Sequence, residues 1–264
     1  MSTGTSASAS ASASEVMSDE FDRAAAWTEQ VVAELDPGYA IPAACRGSGS
    51  PANLAWLAEA LEVRADDRFL DAGAGLGGPA AWLAHRFGVR PVLAEPMPRA
   101  AAASRRMFGL PGVVAWAEHL PFATGRFDVA WCLGVLCTTA RKASVLAELR
   151  RVLTPAGRLG LLVFVRTCSA PPPDAPAGNS FPGDGELAGL LEAAGFCPIQ
   201  EIDAADLAAA PIPWRLRTDR VEAVLGERHR GDAAWKRVAD QEERMGRLLA
   251  RGDVAARLLH CVAV

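Results

Sequence analysis

Residues 71–78, Asp-Ala-Gly-Ala-Gly-Leu-Gly-Gly, restrict the fold of this chain more than any other stretch. They follow the apolar run Arg68-Phe-Leu-Asp-Ala72 and precede a segment from about Pro79 to Phe87, and proline suits a first helical position. A glycine cluster between a strand and a helix has a physical use. Gly73 permits a tight turn, Gly75 lets a ligand approach the backbone, and Gly77 with Gly78 lets helix and strand pack closely. The exposed N–H groups and the helix dipole then favour a negative ligand group.

Gly73, Gly75 and Gly78 also satisfy G-x-G-x-x-G, and Glu95 ends the next strand-like run, Pro91-Val-Leu-Ala-Glu95. An acidic side chain there accepts hydrogen bonds from ribose hydroxyls. These residues define an adenosine ligand at the edge of a Rossmann-like sheet and do not choose the cofactor.

From residue 66 onward short apolar runs alternate with helix-like segments, the pattern of a parallel sheet covered by helices. Further strands are predicted at 113–116, 127–133, 160–165 and about 197–203, with a closing strand at 256–264. The run at 160–165 is almost wholly apolar, as a strand covered on both faces should be. Helices are predicted at 19–35 and 51–62, after Pro98, before Leu153, at 186–195 and as a pair over 214–252. The Pro- and Gly-rich stretch 168–185 reads as a loop.

Residues 1–18 are a Ser/Ala run without the basic start or apolar stretch of a signal peptide, and they read as a disordered tail. A helical cap over 19–65 and one α/β domain over 66–264 complete the expected organisation. Half of the 264 residues are apolar, enough for a substantial core. A net charge of −4, with no Lys/Arg block, disfavours nucleic acid. Arg105-Arg106 and Arg150-Arg151 read as solvated helix faces. No apolar stretch is long enough to span a membrane, so a soluble, cytoplasmic protein is expected. The six cysteines show neither a C-x-x-C pair nor Cys/His ligand spacing, which predicts no metal site and no disulfide framework.

Stretches beyond the glycine turn carry a resemblance. Glu95-Pro96 follows the second strand. Ala117-Glu-His-Leu-Pro-Phe122 precedes Phe127-Asp-Val, and Leu149-Arg-Arg-Val-Leu-Thr-Pro-Ala-Gly-Arg-Leu159 follows later. With Asp71–Gly78 they resemble the class I, Rossmann-like S-adenosylmethionine-dependent methyltransferases over roughly residues 66–166. A nicotinamide-dependent oxidoreductase shares the glycine turn and Glu95 but leaves the last two stretches unexplained. The resemblance implies a three-layer α/β fold with a seven-stranded sheet, mostly parallel, whose last strand is antiparallel. It implies S-adenosylmethionine as cofactor and a small molecule as methyl acceptor. Carried over by position, Asp71, Ala72, Gly73 and Gly75 hold the methionine end and Glu95 with Pro96 the ribose. Ala117 and Glu118 lie against adenine, and Cys132 faces the cofactor. Where many members carry Asp, this chain has Trp116, which either packs on the adenine ring or is a core aromatic.

No residue stands out as catalytic. His119 and Cys137 lie beside the expected cofactor turns; a histidine takes a proton near neutral pH, and a reactive thiolate needs a nearby cation. A methyltransferase-like binding protein without catalysis therefore stays open as a reading. Substrate cover is expected from 39–50, 168–185 and 211–252. Arg46, between glycine-containing turns, has the reach to pair with the cofactor carboxylate. The amphipathic stretch 233–251 suits a packed lid or a homodimer contact.

Overall fold

The structure is a computed structural model that describes residues 5–264, with side chains from Val16 onward. Helix α1 spans Thr5–Glu34, followed by a 3-10 turn at Pro37–Tyr39, α2 (Ala40–Ala44) and α3 (Pro51–Ala60). Strands and helices then alternate: β1 (Phe69–Ala72), α4 (Gly78–Phe87), β2 (Val92–Glu95), α5 (Pro98–Phe108), β3 (Gly112–Val114) and β4 (Phe127–Leu133). Next come α6 (Lys142–Val152), β5 (Leu153–Arg166), α7 (Asp184–Ala193) and β6 (Phe196–Asp203). Helices α8 (Ile212–His229) and α9 (Ala233–Arg251) lead into β7 (Val254–Ala263).

All the strands join one seven-stranded sheet in the order β3-β2-β1-β4-β5-β7-β6. Neighbours from β3 to β5 are parallel, whereas β7 runs antiparallel to both β5 and β6. This is the mostly parallel α/β sheet with an antiparallel last strand that the sequence predicts. Strand alternation splits its side chains between two covering layers. Leu70, Ala130 and Leu161 meet Val145, Leu146 and Leu149 of α6 and Leu187 and Leu191 of α7. On the other face Phe69, Val129 and Trp131 meet Leu54, Leu57 and Ala58 of α3 and Leu83 of α4. The ring of Trp131 meets Phe69 edge-on at 5.0 Å.

The expected tail at 1–18 is corrected. Residues 1–4 lie outside the described residues, but Thr5–Ser18 are the first turns of α1. Alanine is the strongest helix former, and a helix nucleated by packing further along propagates through it at little cost. Met17 is buried, and its sulfur lies 2.9 Å from where a Cβ on Gly178 would stand. The rest of α1 is strapped down by its acids. Glu20 is buried and binds Arg237 and Gln241 of α9, while Asp22 accepts the Arg99 N–H (2.7 Å) and Ala100 N–H (3.1 Å) at the start of α5. Glu29 pairs with Arg106 and Glu34 with Arg228, and Trp27 stacks on His229 at 4.1 Å. Arg106 stays on a solvated helix face, as expected, and is paired there with Glu29.

Arg151 departs from the expectation of a solvated face. Its guanidinium donates to the carbonyls of Phe122 (2.7 Å) and Leu120 (3.0 Å) and to Glu148, and Glu148 accepts the Leu120 N–H at 2.8 Å. The Leu120-Pro-Phe122 turn is therefore clamped by α6, with Phe122 edge-on to Phe127. Two stretches nearly thirty residues apart occur together because one holds the other.

Strand β5 starts earlier than expected, at Leu153, and carries a kink where Ala156 has φ +56°. An L-residue there suffers a steric clash that glycine avoids. Ala156 is exposed, so no packing offsets the strain. Ala156→Gly is expected to stabilise the fold by about 0.5–1 kcal/mol, read as a raised urea midpoint with unchanged slope.

Candidate active site

The carboxyl ends of β1 and β2 lie side by side, with Ala72 in register with Ala94. The glycine turn is stitched to this edge: the N–H groups of Gly73 (2.8 Å) and Ala74 (3.2 Å) both donate to the Ala94 carbonyl. Its glycines differ in what surrounds them. A Cβ on Gly73 would strike Val135, one on Gly77 would strike Ser104 and Leu93, and one on Gly78 would stand 2.6 Å from Ala44 O and Cys45 N. Gly78 thus makes room for the end of α2 rather than for helix-on-strand packing. At Gly75, with φ +54°, a Cβ would meet open space. A ligand can come against the backbone there.

Two buried carboxyl groups flank this opening. Asp71 is 2% exposed and stands in register with Trp131 on β4. Its Oδ2 has no hydrogen-bond partner. Burial pushes its pKa up to about 7, the nearby Trp131 indole pulls the other way, and Glu95 adds a smaller rise. Glu95 is 3% exposed and accepts the Gly75 N–H at 2.6 Å and the Met97 N–H at 3.0 Å. Burial raises it also to about 7, against those two N–H groups and with a small push from Asp22. Each carboxylate oxygen accepts two hydrogen bonds, so Glu95 keeps lone pairs for a ligand hydroxyl. The half-buried Pro96 follows it.

Around the end of β3, Ala117 is buried in the core and Glu118 is half-buried, accepting from Thr139 Oγ1 at 3.2 Å. Trp116 lies beyond the strand and is 52% exposed, so it is not a core aromatic. Cys132 is fully buried, close enough to Asp71, Cys137 and Glu118 to feel their charge, and sits beneath the site rather than on its surface. Arg46 does not join this group. It pairs with Glu242 of α9 and lies over the Trp235 ring at 5.8 Å, because α9 offers both a carboxylate and an aromatic face.

His119 is exposed. Cys137 is buried, and burial raises its thiol to about 11 even though Lys142 lies near enough to lower it. The cation needed to activate that thiol is present, and desolvation outweighs it.

Lys142 itself was not foreseen. It is 5% exposed, donating to Thr139 O at 2.8 Å and Ser180 Oγ at 3.0 Å, and burial lowers its pKa. It thereby ties the 168–185 loop to the segment after β4, with help from the Ser180 N–H on Cys137 O (2.7 Å). A lysine at a helix start reads as a surface residue, and nothing local in the sequence marks it otherwise. Of the other histidines, His85 is exposed on α4 and His260 is buried on β7 with both ring nitrogens unpartnered. Among the described residues no group of three or more His, Cys, Asp or Glu side chains is placed to hold a metal ion, and no helix is long and apolar enough to cross a membrane.

Known proteins resemble this chain in part of its sequence and in its fold. A family model described as a methyltransferase domain matches residues 70–161, the stretch from β1 into β5. The methyltransferase GfsG of Streptomyces halstedii is 36% identical over 116 residues, covering 41% of this chain and 42% of that protein. The 24-methylenesterol C-methyltransferase 2 of Oryza sativa subsp. japonica is 30% identical over 188 residues, covering 62% of this chain and 51% of that protein. The chain thus spans about half the length of these curated relatives. Among solved structures, the fold is similar to the [4+2]-cyclase SpnF, with a TM-score of 0.64, 22% identity and 80% of each chain covered. It is also similar to the geranyl diphosphate C-methyltransferase of Streptomyces coelicolor A3(2), with a TM-score of 0.60, 17% identity, and 81% of this chain and 76% of that chain covered. The fold is that of the class I, Rossmann-like methyltransferases. The sequence likeness to that family lies in the segment 70–161, which the methyltransferase-domain model matches.

Proposed function

We propose that this protein transfers a methyl group from S-adenosylmethionine to a small-molecule acceptor. One of its structural neighbours is a cyclase by name, so the reading rests on the site and not on the fold. The observation that carries it is Asp71. A buried carboxyl oxygen with no partner is costly, and it lies beside the one glycine of the turn whose side-chain space is open. A ligand bearing an ammonium group and a ribose satisfies both carboxyl groups at once. Asp71 takes the ammonium, Glu95 accepts from the ribose hydroxyls, Ala72, Gly73 and Gly75 shape the backbone cradle, and Ala117 and Glu118 line the adenine side. A nicotinamide dinucleotide brings no ammonium to Asp71.

S-adenosylmethionine supplies a methyl group on a positively charged sulfur, ready for in-line displacement by a nucleophile. The chain's own task is to hold and to dry the site. Neither His119, out on the surface, nor Cys137, with its raised pKa, is placed to take a proton. Positioning and exclusion of water therefore carry the reaction, and orientation alone is worth several kcal/mol of barrier. Helix α1, strapped across α5, α8 and α9, and the Lys142-tethered loop supply the cover. A cytoplasmic setting belongs to this reading and agrees with six free thiols.

Thermal shift tests it. S-adenosylhomocysteine is expected to raise the melting temperature and NADH to leave it unchanged; the reverse pattern overturns the proposal. In Glu95→Ala the affinity for S-adenosylhomocysteine should fall by about 1–3 kcal/mol through lost hydrogen bonds.

A further inference from the structure

A cavity of about 330 Å³ lies between α1, the turn after α2 and the face of α8 that carries Trp214, Thr218, Val221 and Leu225. Small-molecule sites begin at about 300 Å³. The 45–49 turn that lines it also reaches the end of a central strand. Gly47 O stands 2.9 Å from where a Cβ on Gly134, just past β4, would be. Cys45, which lines the cavity, is buried; burial raises its thiol pKa, and the Asp71 carboxyl is close enough to add to the rise. Gly47 and Gly49 both hold positive φ and bring no side chain to this turn.

The walls are chemically uneven. Pro42, Ala43, Trp214, Val221 and Leu225 give an apolar floor. Most polar groups are already engaged: Thr28 Oγ1 donates to Ala24 O at 2.8 Å, Thr218 Oγ1 to Arg215 O at 2.8 Å, and Arg46 is held by Glu242. Glu222 sits within reach of the Arg46 charge, and burial raises its carboxyl pKa. Arg215 differs. Its guanidinium makes no hydrogen bond or ion pair among the described residues, yet it stands at the rim of an apolar recess. A planar cation there favours a carboxylate or phosphate over a neutral group.

We infer that this cavity receives the acceptor, and that the acceptor is amphipathic: an apolar body lying along Trp214, Val221 and Leu225, with one anionic group on Arg215. The inference rests on the methyltransferase reading for the word acceptor, and on the cavity alone for the ligand class. In this arrangement the reactive end of the molecule passes beside Gly47 toward the end of β4.

Decanoate and decanol, which share a chain and differ in charge, are the probes, titrated calorimetrically into the full chain. Decanoate is expected to bind at one site, about tenfold more tightly than decanol. Arg215→Glu, which removes an exposed side chain, should abolish that preference and leave decanol unchanged. Thr218→Trp, which fills the cavity, should abolish both. Equal binding of the two probes, or decanoate affinity unchanged in either variant, overturns the inference. S-adenosylhomocysteine is titrated into the same preparations. If it binds while decanoate does not, the cavity assignment fails and the cofactor reading stands; if decanoate binds as expected and S-adenosylhomocysteine does not, the cofactor reading is the one that fails.

Discussion

Asp71→Asn is expected to stabilise the ligand-free protein at pH 8 and at the same time to abolish its affinity for S-adenosylhomocysteine. The folded protein holds the Asp71 carboxyl at about 7, against about 4 in an unfolded chain. Between those values the folded state binds the extra proton, so stability falls as pH rises through that window and the full penalty is present above it. Burial is complete, so solvent does not screen the effect, which is on the order of 3 kcal/mol at pH 8. Asparagine keeps the shape and removes the charge. Its stabilising effect should shrink to nothing below about pH 3, where Asp71 is protonated in both states. Glu95 adds a slope of the same sign, since its carboxyl is also raised to about 7. Chemical denaturation at pH 5 and pH 8, with wild type and variant side by side, reads the effect. A variant less stable than wild type at pH 8 would tell against a buried, partnerless carboxylate.

The second large effect separates two glycines of one turn. Gly78→Val places a Cβ 2.6 Å from backbone atoms of Ala44 and Cys45, which have no flexible side chain to yield. The end of α2 must move, at a cost of about 3 kcal/mol, and the 45–49 turn moves with it. Gly75→Val meets no protein atom. Its cost to folding is the roughly 1–2 kcal/mol of a side chain at positive φ, yet it fills the space a ligand needs. Gly78→Val should therefore lower the melting temperature markedly, whereas Gly75→Val should lower it less and eliminate the thermal shift by S-adenosylhomocysteine. Equal behaviour of the two variants would remove the distinction between a packing glycine and a ligand glycine.

Much of this frame was legible in the chain itself, for physical reasons. Strands β1, β2, β4 and β5 are apolar runs punctuated by glycine and proline, and a parallel sheet leaves them no other partner than helices on both faces. Glu95 reads as a site residue because it ends the second strand, where an acidic side chain accepts hydrogen bonds from ribose hydroxyls. What stayed hidden depends on pairs far apart in sequence. Nothing local to α1 marks the partners of its acids, yet Glu20 meets Arg237 and Glu29 meets Arg106. Arg46 looks free until α9 brings Glu242 beside it. The buried Lys142 is fixed by Ser180, which lies in a loop without periodicity. A Ser/Ala run gives no apolar face, and so says nothing of the helix that packing further along imposes on it.

The most direct test of the central claim is the proton balance of cofactor binding. S-adenosylhomocysteine is titrated calorimetrically at pH 7 in buffers of differing ionisation enthalpy. An ammonium group meeting a carboxyl group that is about half protonated should expel roughly half a proton from Asp71, and Asp71→Asn should bind far more weakly with that release gone. Absence of saturable binding by the wild type, or tight binding with no proton released and no loss in Asp71→Asn, would contradict the assignment of Asp71 to the methionine end of the cofactor.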